Sequence, residues 1–102
     1  MGLQEEFTRA LEGTVEAAKA RHYYPTYFMQ MLGEHGGVET ARRLLASEEP
    51  QQGLFELYNL DLLYESMEAV VLQEKFRPLF TEKELAEARR RLEDLGYYQK
   101  GK

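Results

Sequence analysis

The sequence predicts an all-α protein, a compact, irregular bundle of five to six helices with short loops. Apolar residues recur at three- and four-residue spacing along most of the 102 residues. No segment sustains the two-residue alternation of a strand, so no sheet is expected. Helix breakers fall between the periodic stretches, at Pro25, Gly36-Gly37, Pro50, Pro78 and Gly96.

The stretch from Tyr64 to Leu95 organises the chain. It reads as a helix, a Phe76-Arg77-Pro78-Leu79-Phe80 knuckle and a second helix. Pro78 lacks an N–H and disfavours helical geometry at Arg77, which ends the first helix by about Phe76. Thr81 is then an N-cap, and Glu84 three residues on completes a capping box. Leu85, Ala88, Leu92 and Leu95 form one helical stripe. Early glutamates (Glu82, Glu84, Glu87) and late arginines (Arg89, Arg90, Arg91) suit the macrodipole, and Gly96 is the natural C′ residue.

Before this stretch, Leu3, Phe7, Leu11, Val15 and Ala18 mark an amphipathic helix over residues 3–20, weakened by Gly13. Pro25 opens the next helix, in which Tyr24, Tyr27, Phe28, Met31, Leu32 and His35 make a broad apolar face. Gly36-Gly37 end it and let the chain change direction. Val38, Ala41, Leu44 and Leu45 start a third helix, and residues 47–50 form a polar break. Gln51 to Asn59 form a short helix burying Leu54, Leu57 and Tyr58, followed by a turn with a buried Leu60. Tyr97 and Tyr98 fold back on the core, and residues 99–102 fray.

The length fits one helical domain over residues 1–102, with an N-terminal helix at 1–21 placed at the periphery and a helical core at 23–98. A composition 43% hydrophobic and 30% charged is that of a soluble globular protein. The net charge of −5 disfavours general attraction to nucleic acid or to anionic membranes. With no cysteine, disulfides, zinc-thiolate sites and redox thiols are excluded. No apolar run approaches membrane-spanning length and no signal core opens the chain, so cytoplasmic residence is expected.

Several residues together carry a family resemblance: Tyr24-Pro25, Phe28, Met31-Leu32, Gly37, Ala41, Leu44-Leu45, Gly53-Leu54 and Leu57. Ser66-Met67-Glu68, Val71-Leu72, Phe76, Leu79-Phe80-Thr81, Glu84, Ala88, Arg91-Leu92 and Gly96-Tyr97 continue it. The pattern resembles a family of small bacterial conserved-hypothetical helical proteins or domains and covers residues 23–98. These are packing and capping residues, so the resemblance implies a fold and supplies no reaction, substrate or catalytic residue.

No residue set has the spacing of a catalytic or metal site, and no cofactor is implied. His22 and His35 stand at opposite ends of one helical segment, too far apart to share a metal. Ser47 and Ser66 lack a nucleophile-elbow pattern, and His35-Gly36-Gly37 reads as a helix stop. Glu68 falls beside Leu72 on the wheel. Its carboxylate therefore needs a partner across a helix interface, with Arg42, Arg43 and Arg77 as candidates; Glu68 and Arg77 are read as structural polar residues. Arg89 to Arg91 read as a solvated face, flanked by Glu87 and Glu93. Tyr23 and Tyr24, with Arg42 and Arg43 as a local basic patch, are the candidate binding residues.

The expected function is therefore a non-catalytic helical interaction or accessory module with a protein partner or self-association. The alternative is a nucleic-acid-binding accessory domain using a helix-turn-helix-like element at residues 38–59. The second helix of that element carries no lysine or arginine to reach phosphates.

Overall fold

The computed structural model describes residues 2–48 and 52–97. Five α-helices follow one another: α1 (Leu3–Ala20), α2 (Thr26–Ala46), α3 (Gln52–Asn59), α4 (Met67–Val71) and α5 (Glu82–Asp94). Two 3-10 helices flank α4, at Leu63–Glu65 and Glu74–Leu79. No strand occurs among the described residues, and the expected all-α bundle is what forms. The expected start of α3 at Gln51, part of the polar break, the fold-back of Tyr98 and the tail at 99–102 lie outside the described residues.

Three helices stop in the same way. At the ends of α1, α3 and α5 one residue enters the left-handed region: His22 (φ 68°), Asp61 (φ 64°) and Gly96 (φ 79°). The following N–H then bonds back to a carbonyl in the last turn: Tyr23 to Ala18 at 3.0 Å, Leu62 to Leu57 at 2.8 Å, Tyr97 to Leu92 at 2.9 Å. This is the Schellman closure, and in each case the residue after the turn packs on the core. Gly96 was legible as such a stop; His22 and Asp61 use two of the few non-glycine side chains that tolerate this conformation.

Gly36 makes the fourth change of direction. It sits at φ 80° and ψ 172° inside α2, so the helix runs to His35 and restarts at Gly37 on a new axis. Only glycine adopts that conformation without strain. The restart brings α2 against α1 so closely that Gly37 N–H donates to Thr8 Oγ1 at 2.9 Å. On the same face, Thr40 is completely buried and its hydroxyl finds no partner among the described residues.

The N-terminal helix is central, which corrects the peripheral placement expected for residues 1–21. Phe7 and Leu11 are both 0% exposed. The Phe7 ring meets Phe76 and Phe80 edge-on, each at 5.2 Å between centroids. Amphipathic periodicity identified the buried face of α1; it carries no information on how much of the core that face supplies.

The helix expected from Tyr64 to Phe76 is interrupted. Ser66 is extended and caps α4, its Oγ accepting the Ala69 N–H at 3.1 Å. The chain leaves α-helical geometry after Val71 and extends at Gln73, and the second 3-10 helix carries Pro78. A continuous α-helix to Phe76 would run straight into the Arg77-Pro78 restriction. The 3-10 helix instead passes through Arg77 and Pro78 to Leu79, which corrects the expectation that helical geometry stops by Phe76, and it presents Phe76 and Phe80 to Phe7. Arg77 Nε closes the break by donating to Leu72 O at 2.9 Å.

Other expectations shift by degree. Phe28, Leu44, Leu79 and Leu85 are partly buried rather than core, and Leu62, more than Leu60, is the buried leucine of the turn after α3. Tyr24, Tyr27 and Tyr58, expected on apolar faces, are exposed. Periodicity places them on shared faces with Met31 and Leu54, but those faces are covered at Met31 and Leu54 and not at the tyrosines.

Two glycine substitutions should move stability in opposite directions. A Cβ on Gly13 meets nothing within 4 Å, so Gly13→Ala should stabilise by about 0.5–1 kcal/mol in urea unfolding. A Cβ on Gly37 would stand 2.8 Å from Thr8 Cα, so Gly37→Ala should destabilise by about 1–3 kcal/mol. An unaffected Gly37→Ala protein would show that α1 and α2 do not cross this closely.

Candidate functional site: a tyrosine-lined groove over a buried charge cluster

The Schellman turn at His22 delivers Tyr23 and Tyr24 to one wall of a groove, and the first turns of α2 add Tyr27, Phe28 and Met31. Gly53, Leu54 and Leu57 of α3 form the facing wall, and Met67 and Glu68 of α4 lie at the inner end. The groove encloses about 690 Å³. Tyr23 is half-buried, and its hydroxyl lies beside Gly53, 3.6 Å from where a Cβ there would stand, an ordinary contact distance. Burial first, and then the nearby Glu56 carboxylate, push the ionisation of Tyr23 upward. Tyr24 and Tyr27 are 57% and 68% exposed at the mouth.

The fold thus gathers Tyr23, Tyr24 and Arg43 on one groove with Glu68, and it separates Arg42 from them. Arg43 pairs with Glu39 at 2.9 Å along its own helix. Arg42 lies on a different cleft, near His35, and donates to Leu79 O at 2.8 Å, bracing the second 3-10 helix. The two arginines are adjacent in sequence, and the helix turns them to different neighbours. Tyr27, Phe28, Met31 and Gly53 belong to the groove and were not singled out as binding residues. Their signal was the aromatic run from Tyr23 to Phe28 taken whole.

Behind the groove lies the buried charge predicted around Glu68, with a different partner. Glu68 is 4% exposed, and its carboxylate accepts from Arg91 Nη1 at 3.2 Å, not from Arg42, Arg43 or Arg77. Arg91 is itself 6% exposed, which corrects the reading of Arg89 to Arg91 as one solvated face. Its Nε donates to Glu87 at 2.7 Å, and Nη2 donates to the carbonyls of Leu44 at 2.8 Å and Ser47 at 3.2 Å. The guanidinium therefore caps the C-terminal end of α2, where carbonyls have no helical partner. Arg90 stays outside, bridging Glu87 and Asp94 at 2.7 and 2.8 Å.

The two carboxylates respond to this setting with opposite sign. Burial, ahead of the favourable contact with Arg91, pushes the Glu68 carboxyl up. Arg90's hydrogen bond, with that of Arg91 beside it, holds Glu87 down at about 2 against the cost of its partial burial. The cluster ties α2, α4 and α5 together; Glu68 borders the groove, and Glu87, Arg90, Arg91 and Asp94 border the cleft that Phe55 lines. Among the described residues no group of three or more metal-ligating side chains converges, and no helix is long and apolar enough to cross a membrane.

The pH dependence of stability should report the pair. Glu87 is depressed below its ordinary 4.5, so its contribution is complete above about pH 4.5 and is lost as pH falls toward 2. Glu68 is raised, so its charged form is a cost that acidification relieves. Glu87→Gln should lower neutral-pH stability by about 1–3 kcal/mol and flatten the fall in stability between pH 4.5 and 2. Urea unfolding across that range checks it; an acid limb as steep as that of the parent protein would place the titration elsewhere.

No family model, curated protein or solved structure matches the chain.

Proposed function

We propose that the protein is a non-catalytic helical interaction module whose tyrosine-lined groove docks a protein partner. One observation carries this reading: Tyr24 and Tyr27 are left largely exposed at the mouth of a groove whose inner walls are apolar. Exposed aromatic side chains beside an apolar recess are what an interface uses as anchors, because tyrosine buries a large rigid area while its hydroxyl stays satisfied. The other exposed large hydrophobic side chains, Phe55, Tyr58 and Tyr64, are aromatic too, and Phe55 lines the cleft on the opposite side of α3. The polar groups behind the groove are committed to holding helices together, which argues against chemistry there. The nucleic-acid alternative around residues 38–59 has less support, since α3 carries neither lysine nor arginine.

The test is capture by the full chain followed by a paired variant. Tyr24→Ser with Tyr27→Ser should leave thermal stability within about 0.5 kcal/mol, as surface changes do. It should weaken a captured partner at least tenfold, about the loss of one interface hot spot. A chain that stays monomeric by light scattering and captures nothing, or a variant that binds as well as the parent, would overturn the reading.

A further inference from the structure

We infer that the groove receives a basic segment of the partner and seats a lysine or arginine side chain against Tyr23, Tyr24, Tyr27 and Phe28; this rests on the interaction-module reading. Four aromatic residues within six positions line one recess. Aromatic faces carry the negative lobe of the ring quadrupole and attract cations, more strongly where water is displaced. The apolar walls from Met31, Leu54 and Leu57 suit the hydrocarbon stem that a lysine or arginine carries behind its charge.

The charges around the groove favour a cation over an anion. Arg43 is the one cationic side chain among the described lining residues, and Glu39 holds it at 2.9 Å. Glu68 closes the inner end, and Glu56 stands close enough to Tyr23 to raise its ionisation. Arg91 pairs with Glu68 at 3.2 Å, so the acidic excess beside the groove comes from Glu56 and from Glu39, which holds Arg43. The whole chain, at −5, adds long-range attraction for a basic segment. An anionic ligand would meet aromatic faces and Glu68, with only the already paired Arg43 in its favour.

The experiment is a titration of the isotope-labelled full chain, followed by amide shifts, with hexalysine and separately with hexaglutamate. Hexalysine should give saturable shifts concentrated at residues 23–31 and 52–57, and hexaglutamate should give none there. Tyr24→Leu with Tyr27→Leu keeps apolar bulk but removes the rings, and should weaken hexalysine by about fivefold. Because both tyrosines are exposed, the variant should keep the parent amide spectrum, and the single Tyr27→Leu change gives an independent check at a smaller loss. Shifts spread over the α1 glutamates with the groove unmoved, equal affinity in the leucine variants, or hexaglutamate binding in the groove would each overturn the inference. If hexalysine fails while Tyr24→Ser with Tyr27→Ser still abolishes partner capture, the basic ligand is wrong and the docking surface stands. Loss of both would remove the surface as well.

Discussion

Arg91 is the side chain on which the arrangement of helices depends. Its guanidinium joins three segments that are distant in sequence. It belongs to α5, it holds the buried Glu68 of α4, and it closes the last carbonyls of α2. Burying a guanidinium carries a desolvation cost of several kcal/mol, and only good geometry with every donor engaged offsets it. Here Nε, Nη1 and Nη2 all have acceptors. Such a cluster specifies position more than it adds stability, because a sliding helix would strand a charge. Its consequence is that α2 must end where Leu44 to Ser47 present carbonyls to Arg91, and that sets where the chain can turn toward α3.

The groove follows from that placement together with the left-handed turn at His22. One fixes the far end of α2, the other its start, and the kink at Gly36 lets the second half of α2 reach Arg91 while the first half lies across from α3. The tyrosines stay exposed because the first turns of α2 extend beyond the elements that cover Met31 and Leu32. Apolar burial is concentrated elsewhere, around Phe7, Phe76 and Phe80. The molecule thus separates a packed aromatic core from an unpacked aromatic surface. That separation is the observation on which the proposed docking role of the surface rests.

Much of the fold was legible because its signals are local. Thr81 and Glu84 form the capping box, and Gly96 stops α5, as their spacing indicates. Gly36 marks the change of direction for the same reason. Pro78 misled on the helix before it: the α-helix ends at Val71, well ahead of the proline, and a 3-10 helix then runs through Arg77 and Pro78 to Leu79. The pairing of Glu68 was a question of which arginine is buried, and the signal was present. Arg91 lies three residues after Ala88 and four before Leu95, inside the apolar stripe, just as Glu68 lies four before Leu72. Two opposite charges, each interrupting an apolar stripe on a different helix, are natural partners. The candidate binding residues were legible as an aromatic run, but the division of Arg42 from Arg43 and the exposure of Tyr24 and Tyr27 depend on which neighbours cover a face, and periodicity is silent on that.

The central claim is that Arg91 and Glu68 are a single buried unit, and a double-mutant cycle in urea tests it directly. Arg91→Met should destabilise by about 3–5 kcal/mol, because it leaves Glu68 buried without its cation. Adding Glu68→Gln to Arg91→Met should then recover part of that loss, although Glu68→Gln alone destabilises the parent protein by about 1–3 kcal/mol. A double variant less stable than Arg91→Met by the full single-variant loss would mean that the two side chains act independently, and the account of how α2, α4 and α5 are held would be wrong.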